Sequence, residues 1–145
     1  MAANAYDALR TSFPDSVRYT ENYEKLLVRL DSLDTACAEA LRQADVHTIV
    51  IYHPALTYYA ADYGLEQLAV EHDGKEPSAR HLARLIEEAR RKKVRRVFYQ
   101  AQYPASTVKV IAEDIGARSV KIDPLREDVI ENIGEITRQL TSGNE

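Results

Sequence analysis

The chain has 145 residues, of which 45% are hydrophobic and 29% charged, with a formal net charge of −4 and one cysteine. That length allows one domain with an ordinary core, the interspersed acids and bases give no sign of nucleic-acid binding, and a lone Cys37 excludes an internal disulfide. The start Met1-Ala2-Ala3-Asn4-Ala5-Tyr6 lacks the basic and apolar regions of a secretory signal, and no apolar run approaches membrane-spanning length.

Residues 3 to 13 read as a weak helix, with Tyr6, Leu9 and Phe13 at helical spacing before Pro14. From Ser16 to Ala44 runs the longest periodic stretch, with Tyr19, Tyr23, Leu26, Leu27, Leu30, Leu33, Cys37, Ala40 and Leu41 at steps of three and four. This predicts a long amphipathic helix laid along a core, with Cys37 as a buried structural thiol. Beyond Ala44, short apolar runs alternate with helical patterns, the mark of strand-helix units and a parallel sheet. Four strands are expected, His47 to His53, Glu66 to Glu71, Arg95 to Gln100 and Arg118 to Asp123. Helices are expected at about 55 to 63, 78 to 93, 105 to 115 and 127 to 140. The first strand is apolar on successive residues, so both its faces should be covered.

Gly64 and Gly116 suit left-handed helix ends. Pro54, Pro77, Pro104 and Pro124 fall at or near helix starts, and Ser78 and Ser106 are candidate start residues. The cluster Arg90-Arg91-Lys92-Lys93 with Arg95-Arg96 reads as a solvated helix end, against a polyanion patch as the alternative. The expected fold is a three-layer α/β/α domain on a four-stranded parallel sheet, preceded by the long amphipathic helix.

Two strand ends match. Ile49-Val50-Ile51-Tyr52-His53-Pro54 and Val120-Lys121-Ile122-Asp123-Pro124 each close on a metal-ligand residue type followed by proline. In an open parallel sheet such ends share one edge, where ligands bind. A neutral imidazole from His53 and a carboxylate from Asp123 suit a borderline divalent cation such as zinc. The plainer alternatives are that His53 bonds a neighbouring loop and that Asp123 caps a helix. His72 and His81 read as solvated, and His47 lies at the wrong end of the sheet. Tyr52, Tyr58, Tyr59, Tyr99 and Tyr103 are expected to pack the sheet and line the cleft.

Enzyme motifs are absent. The turn after the first strand reads His53-Pro54-Ala55-Leu56 in place of a glycine-rich phosphate loop, and neither a Gly-x-Ser-x-Gly elbow nor a His-Glu-x-x-His helix occurs. A triad of His53, Asp123 and Ser106 or Thr107 lacks any oxyanion-hole pattern. A metal-independent interaction or regulatory domain of doubly wound type is the second reading.

Four ordered segments carry a family resemblance: His53-Pro54-Ala55-Leu56-Thr57-Tyr58-Tyr59-Ala60-Ala61-Asp62-Tyr63-Gly64-Leu65, then Glu76-Pro77-Ser78-Ala79-Arg80-His81-Leu82, Val97-Phe98-Tyr99-Gln100-Ala101-Gln102-Tyr103, and Ile122-Asp123-Pro124-Leu125. Together they resemble the zinc- and manganese-type solute-binding proteins of ABC transporters. The resemblance implies a linking helix in residues 1–45 and a carboxyl-terminal α/β lobe in residues 46–145. It also implies a second, amino-terminal lobe that supplies further ligands, a membrane permease as partner, an extracytoplasmic location and no catalysis. By the same resemblance His53 and Asp123 are the metal ligands of this lobe. Imidazole at position 53 leans towards zinc over manganese, since relatives that prefer manganese tend to carry a carboxylate there. Gln100 departs from the glutamate of many relatives and leaves a neutral amide near the cleft. Two donors imply weak or incomplete ligation by the lobe alone, which can be metal-free. An exposed inner cleft face implies self-association.

Overall fold

The computed structural model describes residues 1–71, 74–100, 102–103 and 105–142. Its elements in chain order are α1 (Ala2–Ser12), α2 (Val17–Gln43), β1 (Thr48–Ile51), α3 (Thr57–Asp62), β2 (Glu66–Ala69), α4 (Ala79–Arg91), β3 (Arg96–Gln100), α5 (Ala105–Ile115), β4 (Arg118–Ile122) and α6 (Val129–Thr141). The four strands form one parallel sheet in the order β2-β1-β3-β4. Expected fold class and element order agree with it throughout.

Strand alternation divides the core between the two faces of the sheet. Ile49 and Ile51 pack on one face with Phe98 and Ile122 of the neighbouring strands and with Leu41, Leu56, Ala60, Ile136 and Leu140, contributed by the end of α2, the α3 region and α6. Val50 and Tyr52 pack on the other with Val70, Leu85, Ala89, Val97, Val108, Ile111 and Ala112, beneath α4 and α5. The unbroken apolar run of β1 is therefore buried on both sides, as a central parallel strand requires.

Each helix that feeds a strand from below ends in the same way. Asp45, Gly64, Lys93 and Gly116 have φ of 51°, 65°, 54° and 68°. The next residue's amide then bonds back across the turn, Val46 to Leu41, Leu65 to Ala60, Val94 to Ala89 and Ala117 to Ala112. This left-handed closure satisfies a helix carbonyl and turns the chain into the sheet. The glycines were legible; the two non-glycine residues that do the same task were not.

Three details differ from the sequence reading. The helix α2 is not laid along the core for its length: its only buried residues are Cys37 and Leu41, and Val17, Leu27 and Val28 are exposed. Its carboxyl half packs on α6, where the Cys37 Sγ lies 3.1 Å from Thr137 Oγ1, while its amino half meets α1 through the stacked rings of Tyr6 and Tyr23 at 4.3 Å. Second, Pro124 does not start a helix, because α6 begins at Val129 with Asp128 as its cap, accepting from the Glu131 amide at 3.1 Å. Third, β2 ends at Ala69 as a regular strand, although Val70 and Glu71 continue the pairing through bonds of 2.9 Å to Ile51 and Tyr52.

Ser78 caps α4, accepting from the His81 amide at 3.2 Å. Pro104 lies outside the described residues. The basic cluster is largely engaged structurally: Arg90 bonds Asp114, Arg91 pairs with Glu88, Lys92 with Glu66, and Arg96 donates to the last carbonyls of α6 at Gln139 and Leu140.

Candidate metal centre

From β1 the chain crosses to β2 on one side, while β3 and β4 lie on the other. The point where the order reverses, between the carboxyl ends of β1 and β3, is where a doubly wound sheet opens a ligand crevice. His53 follows β1 there, Gln100 closes β3 and Asp123 follows β4. Both expected ligands thus stand on one sheet edge with β3 between them. Adjacent strands lie about 4.8 Å apart, so the two backbones are separated by roughly 10 Å.

The surroundings of His53 are well defined. Its Nδ1 lies 3.1 and 3.2 Å from the two carboxylate oxygens of Glu71. The Tyr103 ring stacks on the imidazole at 5.3 Å and 16°, and Tyr103 also packs against Tyr52 at 4.9 Å. From the β3 side the Gln100 amide donates to the His53 carbonyl at 2.9 Å. Gln100 is buried, and its Oε1 has no bonding partner among the described residues. The imidazole itself is partly exposed, and its Nε2 makes no bond to the described residues.

Asp123 is exposed. One carboxylate oxygen accepts from the Leu125 amide at 3.1 Å, and the Asp123 carbonyl accepts from buried Asn132 at 2.8 Å. These bonds fix the loop after β4 on α6. The alternative of a helix cap fails here, because the bond closes a local turn and α6 is capped by Asp128.

Burial first, then the Glu76 and Glu71 carboxylates and Tyr103, raise the Tyr52 hydroxyl above its ordinary pKa.

Other sequence expectations divide. His47 is exposed at the opposite end of the sheet, 2.8 Å from Asp45. His81 is not simply solvated: its Nε2 lies 3.1 Å from the Ala69 carbonyl at the end of β2. Tyr58 does not line the cleft, being 88% exposed. His72 lies outside the described residues. The imidazole of His53 bonds neither Ser106 nor Thr107, so nothing assembles the imagined triad. Among the described residues no three His, Cys, Asp or Glu side chains gather to hold a metal.

Glu71 was missed. It ends the segment Glu66-Gln67-Leu68-Ala69-Val70-Glu71, so a ligand-type residue closing a strand was its one signal, without the following proline that singled out His53 and Asp123.

A doubly wound parallel lobe with an imidazole and a carboxylate on its carboxyl edge has the architecture of a ligand-binding lobe. The chain belongs to the zinc-type solute-binding proteins of ABC transporters: the model of the family described as zinc-uptake complex component A, periplasmic (ZnuA), matches residues 1–142. The zinc-binding lipoprotein AdcA of Streptococcus pneumoniae is 31% identical over 122 residues, 82% of this chain and 24% of that protein. The high-affinity zinc uptake system protein ZnuA of Bacillus subtilis is 27% identical over 115 residues, 77% of this chain and 36% of that protein. A crystal structure of ZnuA superposes with a TM-score of 0.90 at 28% identity, covering 99% of this chain and 56% of that one. The chain thus spans about a quarter to a third of the curated relatives and little more than half of the solved chain.

Proposed function

We propose that this chain is the linking helix (residues 1–45) and carboxyl-terminal lobe (residues 46–145) of a two-lobed protein that captures zinc for an ABC permease outside the cytoplasm. His53 and Asp123 are the donors of this lobe, and an amino-terminal lobe completes the shell. Zinc is cargo in this reading, and nothing is transformed. The observation that carries it is the placement of His53 and Asp123 on one edge of the sheet, beside the β1/β3 switch point, in a chain of this family. The names of the relatives AdcA and ZnuA support zinc over manganese, as does the softer imidazole at position 53.

Two donors leave a cation mostly hydrated, so the chain by itself binds zinc weakly. Calorimetric titration with zinc and then manganese tests this. One-to-one zinc binding weaker than micromolar, lost in both His53→Ala and Asp123→Ala, is the expected result. Submicromolar binding contradicts the half-site reading, binding indifferent to both substitutions contradicts His53 and Asp123 as the donors, and no zinc binding at all returns the chain to the metal-independent interaction domain. Self-association through the crevice face belongs to the same proposal; sedimentation that does not change with concentration would exclude it.

A further inference from the structure

We propose that Glu71 is a positioning residue for the cation site, holding His53 in the tautomer that carries its proton on Nδ1 and so leaving Nε2 to face a divalent cation. This rests on reading His53 as a ligand.

The geometry begins in the backbone. The Glu71 amide donates to the Tyr52 carbonyl at 2.9 Å, which continues the parallel pairing of β2 with β1 and brings the Glu71 side chain alongside that of His53. Both carboxylate oxygens then reach Nδ1, at 3.1 and 3.2 Å. An ionised carboxylate only accepts, so the proton of a neutral ring belongs on Nδ1. Free imidazole side chains favour the proton on Nε2, where it would block a cation; the Glu71 contact reverses that preference. Tyr103, stacked 16° from parallel with the ring, opposes its rotation.

Energetics point the same way. The Glu71 side chain is only 9% exposed, and a carboxylate so placed is costly without a hydrogen-bond donor. Among the described residues His53 is the donor its side chain has. The same bond fixes the orientation of the ring, as carboxylate-histidine-metal arrangements do. Gln100 does not fill this role: its Nε2 donates to the His53 carbonyl, and its Oε1 makes no bond to the imidazole.

The test reads the ring nitrogens directly, through long-range proton-nitrogen correlation spectra of His53 in the metal-free chain with the ring neutral, followed by addition of zinc chloride. The expected spectrum shows a protonated Nδ1 and a bare Nε2, and zinc moves Nε2 while Nδ1 keeps its proton. Glu71→Ala should return the ring to mainly Nε2–H and weaken zinc binding about 10- to 100-fold, and Glu71→Gln, which keeps an acceptor oxygen, should recover part of the loss. A proton on Nε2 in the unaltered chain, or zinc on Nδ1, overturns the role of Glu71 while leaving His53 a ligand. Zinc that moves neither nitrogen overturns the ligand reading and the positioning role with it. Should Glu71→Ala fail to fold, the tautomer of the unaltered chain decides.

Discussion

Thr137 joins three helices through one hydroxyl. It donates to the Ile133 carbonyl at 2.9 Å and meets Tyr59 Oη at 2.7 Å and Cys37 Sγ at 3.1 Å. Thr137→Val keeps the shape but strips a buried acceptor from Tyr59, so a loss of about 1–3 kcal/mol is expected in urea denaturation. Burial pushes the Tyr59 hydroxyl up to about 12, although the bond to Thr137 pulls it down and Cys37 adds a small rise. The folded state therefore holds this proton more tightly than the unfolded chain, whose tyrosines titrate near 10. Its contribution is full below about pH 10 and is lost as pH climbs towards 12. Tyr63, raised by burial and by its bond to Asp34, shares this alkaline limb. Denaturation midpoints between pH 9 and 12 should fall for the unaltered chain and fall less steeply for Tyr59→Phe; equal slopes would contradict the assignment.

At the level of elements, the closing residues of the helices make a paired prediction. A side chain in the left-handed region costs roughly 1–2 kcal/mol. Gly64 has φ +65° with nothing within 4 Å of an added Cβ, so Gly64→Ala should destabilise by about 1 kcal/mol through backbone conformation alone. Lys93→Gly should stabilise by up to about 1 kcal/mol, since φ is 54° there and a lysine occupies it. Thermal melts of the two variants should shift in opposite directions. The contrast also explains what was legible. Glycine announces a left-handed turn because few other residues adopt it, whereas Asp45 carries only the weaker preference of aspartate for that region and Lys93 carries none. The apolar strands were readable for the opposite reason: Ile49 to Tyr52 alternate between two cores, and burial on both faces leaves a continuous run. For the site, His53 and Asp123 stood out because each precedes proline at a strand end, while Glu71 lacks that punctuation and meets His53 only across two strands.

For the whole molecule, tertiary packing is uneven. The two cores surround the sheet, but α2 is buried only at Cys37 and Leu41, so its amino half depends on α1 and on its own helix bonds. Segments with few buried apolar contacts open at low free-energy cost. Amide exchange should be fast through the first half of α2 and slowest in β1 and β3, and uniform protection along α2 would contradict this account. The periodic apolar stripe of α2 was correct as a helix signal, but periodicity does not specify what covers the stripe.

The central claim is that the sheet edge beyond β1, β3 and β4 holds one divalent cation with His53 and Asp123 as joint donors. The most direct measurement follows the His53 ring and the Asp123 carboxyl carbon together during a zinc titration of the chain. The account predicts that both resonances move along one saturation curve and that Asp123→Ala weakens the response at His53. Independent curves, or movement of one side chain without the other, would contradict it.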